Sequence, residues 1–351
     1  MGAITDVAGI KVGNAQNLLG LTGVTVVLCE EGATASVQVF GGSPGTRETD
    51  LLRSSNTVDA VHGVFLAGGS AFGLNAAEGV MRFLEERKIG FDTGLARVPV
   101  VPGAIIFDLG VGSAASRPTP DMAYRACVEA SSRPPKSGNI GAGAGATVGK
   151  LFGPEYLMKS GLGNSSLKTR GGHTVGAIVV VNALGNVYDP GSGEMIAGAY
   201  DRKAERFVGK SGPARPSPGE NTTIGVVATD LPLSKEECQR VALMAMGGLA
   251  QAVRPCFTPY DGDTLFALST GGRNPGPTGG PSSSGETDSL EGAGAHDRQN
   301  PWTGRAFRAD LAAEIGIAAQ EAVVLAVLDA VRSAESVLGI PAARDVRQRR
   351  I

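Results

Sequence analysis

The segment Asn221-Thr222-Thr223-Ile224 carries the most chemical potential in this chain. It follows a proline-rich approach (Pro213, Pro216, Pro218) and opens the β-branched run that ends at Thr229. A hydroxyl is a weak nucleophile at its free pKa and needs a base beside it. If the bond between Asn221 and Thr222 breaks, Thr222 gains a free α-amine on its own Cα. That amine titrates near neutrality, so it can hold the hydroxyl proton at working pH. A threonine at the first position of a buried strand is where an N-terminal-nucleophile enzyme keeps its nucleophile before self-cleavage. The chemically silent alternative is a strand that happens to start with threonine, a residue common there.

Other residues could supply the rest of such a site. Tyr260-Asp261-Gly262-Asp263-Thr264 places two carboxylates at i and i+2 where a strand begins, so both can point to one side. Two close like charges are costly unless a cation or several donors lie between them; a new ammonium on Thr222 would be such a cation. A solvated Asp-Gly turn is the plainer explanation of the same residues. Asn182 ends an apolar run, where its amide could serve as an oxyanion donor or merely turn the chain. Lys150, after Gly141-Ala142-Gly143-Ala144-Gly145-Ala146, could depress a nucleophile's pKa, stabilise an oxyanion, or sit on the surface. The glycine run lacks the preceding strand, following helix and ribose-binding acid of a dinucleotide loop, so no cofactor is expected. Gly69-Ser70-Ala71-Phe72-Gly73 has the form of a nucleophile elbow and makes Ser70 a rival nucleophile, with His62 or His173 as its base.

The elements that must position these residues read as a mixed α/β pattern. Gly23–Leu28 and Ala35–Phe40 flank Glu30-Glu31-Gly32 and predict a hairpin. Val61–Leu66 predicts a strand, and Leu74, Ala77, Met81 and Leu84 fall at helical spacing. Val98–Phe107 reads as a strand broken at Pro102-Gly103, and Asp121–Ala130 as a short helix. Val175–Asn182 is nearly all apolar, as in a strand covered on both faces. Ser234 should cap a helix that runs to about Val253. A strand over Asp263–Thr270, a long mobile loop over Gly271–Asn300 and a helical closing segment over Ala309–Leu338, broken near Gly316, complete the chain. Regular βαβ alternation is absent. Two sheets packed face to face with helices outside fit this order better than a doubly wound fold.

Composition narrows the function classes. The chain has 351 residues, 42% of them hydrophobic, enough for a substantial core. Its 52 glycines with only 5% aromatics point to close backbone packing and tight turns. The net charge of −2 gives no reason to expect nucleic acid or an anionic membrane as partner. No signal-peptide pattern and no apolar run of bilayer length is expected, which suggests the cytoplasm. Cys29, Cys127, Cys238 and Cys256 are scattered, and His62, His173 and His296 lie far apart, so no metal site is expected.

Taken in order, several segments resemble the P1 family of self-processing peptidases. That family includes L-aminopeptidase D-amidase/esterases, β-peptidyl aminopeptidases and 6-aminohexanoate-oligomer (nylon oligomer) hydrolases. The resemblance starts at Ile4-Thr5-Asp6-Val7-Ala8-Gly9-Ile10-Lys11-Val12-Gly13 and continues through Leu66–Leu74 and Gly141–Gly145. It closes with Asn221–Ile224 and Asp261–Ala267. It implies a single four-layer αββα sandwich of the N-terminal-nucleophile type, cut into 1–221 and 222–351. Tetramers of such cleaved heterodimers are the family's usual assembly. It further implies Asn221–Thr222 as the self-cleavage bond, Thr222 as nucleophile, and Asp261 and Asp263 as holders of the new amine. Asn182 would support the tetrahedral intermediate. Lys150, the threonine nucleophile and the Asp-Gly-Asp pattern look like the nylon-oligomer branch. Phe107 stands in the substrate region where relatives can carry a tyrosine, so any phenol role is absent. The implied activity is hydrolysis of short peptides or linear amides without a cofactor. Acyl transfer of the ornithine acetyltransferase type is the alternative enzyme reading, although the lysine-glycine-serine-glycine segment of that family is missing. A glycine-rich binding protein, which would stay one intact chain, is the non-enzymatic one.

Overall fold

The computed structural model describes residues 2–208, 221–271 and 301–346. Its principal elements in chain order are β1 (Lys11–Asn17), β2 (Thr22–Val39), β3 (Val61–Ala67), α1 (Ala76–Glu86), β4 (Gly103–Ile105), α2 (Pro120–Val128), β5 (Leu162–Lys168), β6 (Thr174–Asn182), β7 (Thr222–Thr229), α3 (Lys235–Ala252), β8 (Thr264–Ser269) and α4 (Pro301–Ser333). The proline-rich approach over 209–220 and the glycine-rich stretch 272–300, expected to be a mobile loop, lie outside the described residues.

Strand β2 organises the sheets. The expected hairpin over Glu30-Glu31-Gly32 is instead one strand of 18 residues. Its first half pairs with β1 and β3, its second half with β8, and its register against β3 shifts between Leu28 and Ala33. Gly32 takes φ +87° in that shift. A glycine at positive φ can bend a strand as readily as reverse it. The two apolar runs therefore belong to different sheets and do not pair with each other. Around β2 the order is β5-β6-β7-β8-β2-β3-β4, with β7 and β8 parallel.

Side-chain alternation shows how the layers stack. On β6, Val175, Ala177, Val179 and Val181 share a core with α3 and α4. Ile178 and Val180, between them, pack with Ile224 and Val226 of β7 and with Val27, Val64 and Leu66 of the other sheet. The outer face of that second sheet (Val24, Val26, Phe65, Ala67) is covered by Ala76, Val80 and Leu84 of α1 and Ala123 and Ala126 of α2. The layers are thus helices, sheet, sheet, helices: the expected αββα sandwich. A strand apolar on both faces is what this stacking requires.

The helices follow their local signals. Ser234 Oγ accepts the Glu237 N–H while Glu237 Oε2 accepts the Ser234 N–H, a reciprocal capping box that starts α3. Helix α4 is unbroken at Gly316, contrary to expectation. A Cβ there would lie 2.3 Å from Met244 Sδ, so the glycine answers to α3 packing and not to a break. Within α4, Arg308–Ser333 is long enough to cross a bilayer and its most apolar 18-residue window has a mean hydropathy of 1.8, which corrects the expectation of no such run. More than half of its most apolar window is buried inside the fold, so its apolarity has an internal use as a core helix. Gly248 marks another close α3–α4 approach: its Cβ would come within 2.3 Å of the Gln320 carbonyl oxygen. Gly248→Ala should force the helices apart and lower stability by about 1–3 kcal/mol. Thermal unfolding followed by circular dichroism, with an unchanged native spectrum, checks it.

Candidate active site

Register brings the candidate residues together at one end of the β5–β8 sheet. Thr222 opens β7 and pairs with Asn182, the last residue of β6. On the other side β7 and β8 pair Ile224 with Thr264, and an isolated bridge pairs Asn221 with Asp261. Both pairs have the same offset (264 − 224 = 261 − 221 = 40), so Gly262 flanks Thr222 opposite Asn182. Thr222 shares parity with Ile224 and Val226, which face the inter-sheet core, so it points between the sheets where β7 begins. It is only 3% exposed.

The Thr222 hydroxyl donates to the carbonyl oxygen of Asn221, the carbonyl of its own preceding peptide bond. The Gly262 N–H donates to the same oxygen at 2.9 Å. In the unbroken chain the two carboxylates are held by the backbone. Asp263 Oδ1 accepts the Thr223 N–H at 2.6 Å and its Oδ2 accepts the Phe257 N–H at 2.9 Å. Asp261 Oδ2 accepts the N–H and hydroxyl of Thr258 at 2.9 and 2.5 Å. Its Oδ1 is buried and accepts no hydrogen bond among the described residues. Burial first, and then the charge of Asp261, push the Asp263 carboxyl up to about 7. The same surroundings push the nearby Cys256 thiol up to about 12, again chiefly by burial, which disfavours the thiolate as a nucleophile.

On the other flank, Asn182 is fully buried and carries a network. Its Nδ2 donates to the Phe107 carbonyl at 3.0 Å, and its Oδ1 accepts the Thr147 N–H at 3.1 Å. Lys150 Nζ donates to Asn182 Oδ1 at 2.8 Å and to its backbone carbonyl at 3.0 Å. Thr222, Asn182, Lys150, Phe107, Asn221, Asp261 and Asp263, all singled out from sequence, thus fall into one constellation.

Ser70 does not acquire a base. It has the strained φ of +53° that an elbow would need, and its N–H donates to the Ile106 carbonyl. His62, however, sits near the other end of β3, about 17 Å from Ala67 at roughly 3.3 Å per residue. Its Nδ1 accepts the Val100 N–H. His173 precedes β6 at the end opposite Asn182 and faces Asp230 at 3.4 Å. The Gly68-Gly69-Ser70 turn serves Asp108 instead, whose Oδ1 accepts the Gly69 N–H at 2.7 Å.

Sequence reasoning missed the groups behind the site. Asp108, next to Phe107, is buried, and burial raises its pKa. Lys159 is fully buried, and burial lowers its pKa to about 7. Its Nζ donates to the carbonyls of Gly143, Ala146 and Ser160 and so gathers the loop that delivers Thr147 to Asn182. Only the glycine run before Lys150 hinted at carbonyls close enough to share one ammonium.

Comparison with known proteins fits this geometry. A family model described as Peptidase family S58 matches residues 2–344. The chain belongs to that family. Among family S58 relatives, an uncharacterised aminopeptidase of Mycobacterium leprae is 42% identical, over 97% of this chain and 93% of its own. A 6-aminohexanoate-oligomer endohydrolase of a Kocuria species is 30% identical over 76% of this chain and 74% of its own. A solved L-aminopeptidase D-Ala-esterase/amidase from Ochrobactrum anthropi, described as a variant of the Ntn hydrolase fold, superposes with a TM-score of 0.66. It is 19% identical, with 95% of this chain and 86% of that one covered. This chain is therefore a peptidase-family hydrolase of peptide or amide bonds with an Ntn-hydrolase fold.

Asp263 generates a pH prediction. Its folded pKa lies above its ordinary 3.8, so its contribution to stability is complete below 3.8 and is lost as pH rises to about 7. The thermal midpoint of the intact chain should fall between pH 5 and pH 7.5. Adding Asp263→Asn should flatten that slope in differential scanning fluorimetry.

Proposed function

We propose that this chain is a self-processing amide hydrolase whose nucleophile is Thr222. The observation that supports it most directly is the Thr222 hydroxyl lying against the Asn221 carbonyl at the start of β7. In maturation Thr222 Oγ bonds to the Asn221 carbonyl carbon, and the C–N bond breaks. The hydroxyl proton ends on the departing nitrogen. Water then hydrolyses the Asn221 ester, leaving a carboxylate on Asn221 and an amine on Thr222. The single domain persists as two associated chains, 1–221 and 222–351.

In turnover the new amine takes the hydroxyl proton as Thr222 Oγ attacks a substrate carbonyl. The leaving amine departs with that proton, an acyl-enzyme forms, and water releases it. Asp261 and Asp263 hold the Thr222 ammonium, for which the bare Asp261 Oδ1 is a ready acceptor. Asn182 and Lys150 stabilise the oxyanion, with the Phe107 carbonyl and Thr147 fixing the amide's orientation. Phe107 lines the substrate region through apolar contact alone. Short peptides or linear amide oligomers are the substrate class, a choice that leans on what the named relatives act on. An assembly of cleaved heterodimers into tetramers, and a cytoplasmic location, accompany this reading.

Intact mass spectrometry with N-terminal sequencing tests the mechanism. The parent should give two species, one beginning Thr-Thr-Ile-Gly, and Thr222→Ala a single chain; two fragments from Thr222→Ala would sink the proposal. In matured protein, Asn182→Ala should lower kcat by roughly 10²–10³-fold with little change in KM on a short peptide amide. Initial-rate kinetics check that split.

A further inference from the structure

Gly262 is the spacer of Asp-Gly-Asp, and it also touches the 221–222 bond directly. Its N–H donates to the Asn221 carbonyl oxygen at 2.9 Å, the atom on which charge would develop when Thr222 attacks. Its φ does not lie among the positive values of the chain, so the glycine is not there for a left-handed turn. What it supplies is room. A Cβ at Gly262 would stand 2.9 Å from Thr222 Oγ1, 2.9 Å from the Ser43 carbonyl oxygen and 3.2 Å from Pro44 Cα. The Ser43 backbone is itself fixed, its N–H donating to the Asp261 carbonyl at 2.8 Å, so the wall behind Gly262 has little freedom to retreat.

We propose that Gly262 is a catalytic residue of the self-cleavage step, in two ways. Its N–H is the oxyanion donor for the tetrahedral adduct at Asn221, and its missing side chain admits the Thr222 hydroxyl to attacking distance. The inference rests on Thr222 as nucleophile and adds a donor to that reading. As the Oγ–C bond forms, the carbonyl π pair moves onto the Asn221 oxygen already facing Gly262. As the C–N bond breaks, the carbonyl re-forms on the ester and the Thr222 nitrogen leaves carrying the hydroxyl proton. The donor is in place before any charge appears, which is the condition under which a single N–H is worth most.

The donor stands on a parallel ladder position, and that explains why it is preorganised. The Asn221–Asp261 bridge continues the β7–β8 register by one further pair, so the same hydrogen bond that extends the sheet also polarises the bond to be cut.

The experiment measures the maturation rate of full-length chains by intact mass spectrometry. It compares parent, Gly262→Ala, Thr222→Ser, the double variant and Thr222→Ala. Gly262→Ala should fold with the parent's circular dichroism but mature at least tenfold more slowly, since displacing a nucleophile by a few tenths of an ångström to 1 Å has effects of that order. Serine lacks the γ-methyl group, so its hydroxyl can retreat from the added Cβ. The Gly262→Ala penalty should therefore shrink several-fold when measured against Thr222→Ser. Parental maturation in Gly262→Ala, an undiminished penalty in the serine background, or insolubility of Gly262→Ala in both backgrounds overturns the proposal. Fragments from Thr222→Ala would instead remove the underlying nucleophile assignment, so the two failures are distinguishable.

Discussion

Two carboxylates buried side by side, Asp261 and Asp263, are the constraint around which this end of the molecule is arranged. Taking a carboxylate out of water costs several kcal/mol even after relaxation. Here the compensation comes from backbone N–H groups at Phe257, Thr223 and Thr258 and from one hydroxyl. Those donors are available only if the 254–263 loop folds back on itself and β7 begins where it does. Asp263 thereby pins Thr223, and pinning Thr223 fixes the direction in which Thr222 leaves the strand. The pair is left incomplete, with one acceptor of Asp261 bare and Asp263 inclined to keep a proton. An ammonium between them would satisfy both.

The opposite flank solves a different electrostatic problem. Asn182 must present its amide in one orientation, because a flipped amide would set its oxygen against the Phe107 carbonyl. Lys150 and the Thr147 N–H both require oxygen on their side, so two donors and one acceptor agree on a single answer. Behind them Lys159 spends its ammonium on three carbonyls of the interior, with Asp108 as its buried counter-charge. A rigid backing of this kind is what a site needs if its polar groups are not to reorganise during reaction.

Much of this was legible in the sequence, and the parts that were not share a cause. Thr222 and Asn182 announce themselves as polar residues at the ends of apolar runs, which must find partners, whereas Asp261 and Asp263 stand out by their i, i+2 spacing and Lys150 by the glycine run before it. The all-apolar β6 announced a strand covered on both faces. Glu30-Glu31-Gly32 misled, since a bulge glycine and a turn glycine look alike until the partners of each half are known. Gly316 misled in the same manner: helix breaking is a local property, whereas close approach to Met244 is a tertiary one. Asp108 and the N–H of Gly262 gave no sequence signal and Lys159 only the glycine run before Lys150, because their roles depend on backbone carbonyls and amides that only the fold brings near.

The glycine excess now has a physical explanation. Gly68 and Gly145 stand where a Cβ would strike the Asp108 side chain, at 1.9 and 2.6 Å from its nearest atoms. Gly41 stands where one would meet the Asp261 carbonyl oxygen at 2.2 Å. In each case the missing side chain lets the backbone approach a buried polar group closely, and a backbone group that serves as donor or acceptor loses no rotamer entropy in doing so. A site built from longer side chains would need a wider gap between the two sheets and would readmit water. Small residues at these positions let the backbone close around the buried polar groups near Thr222.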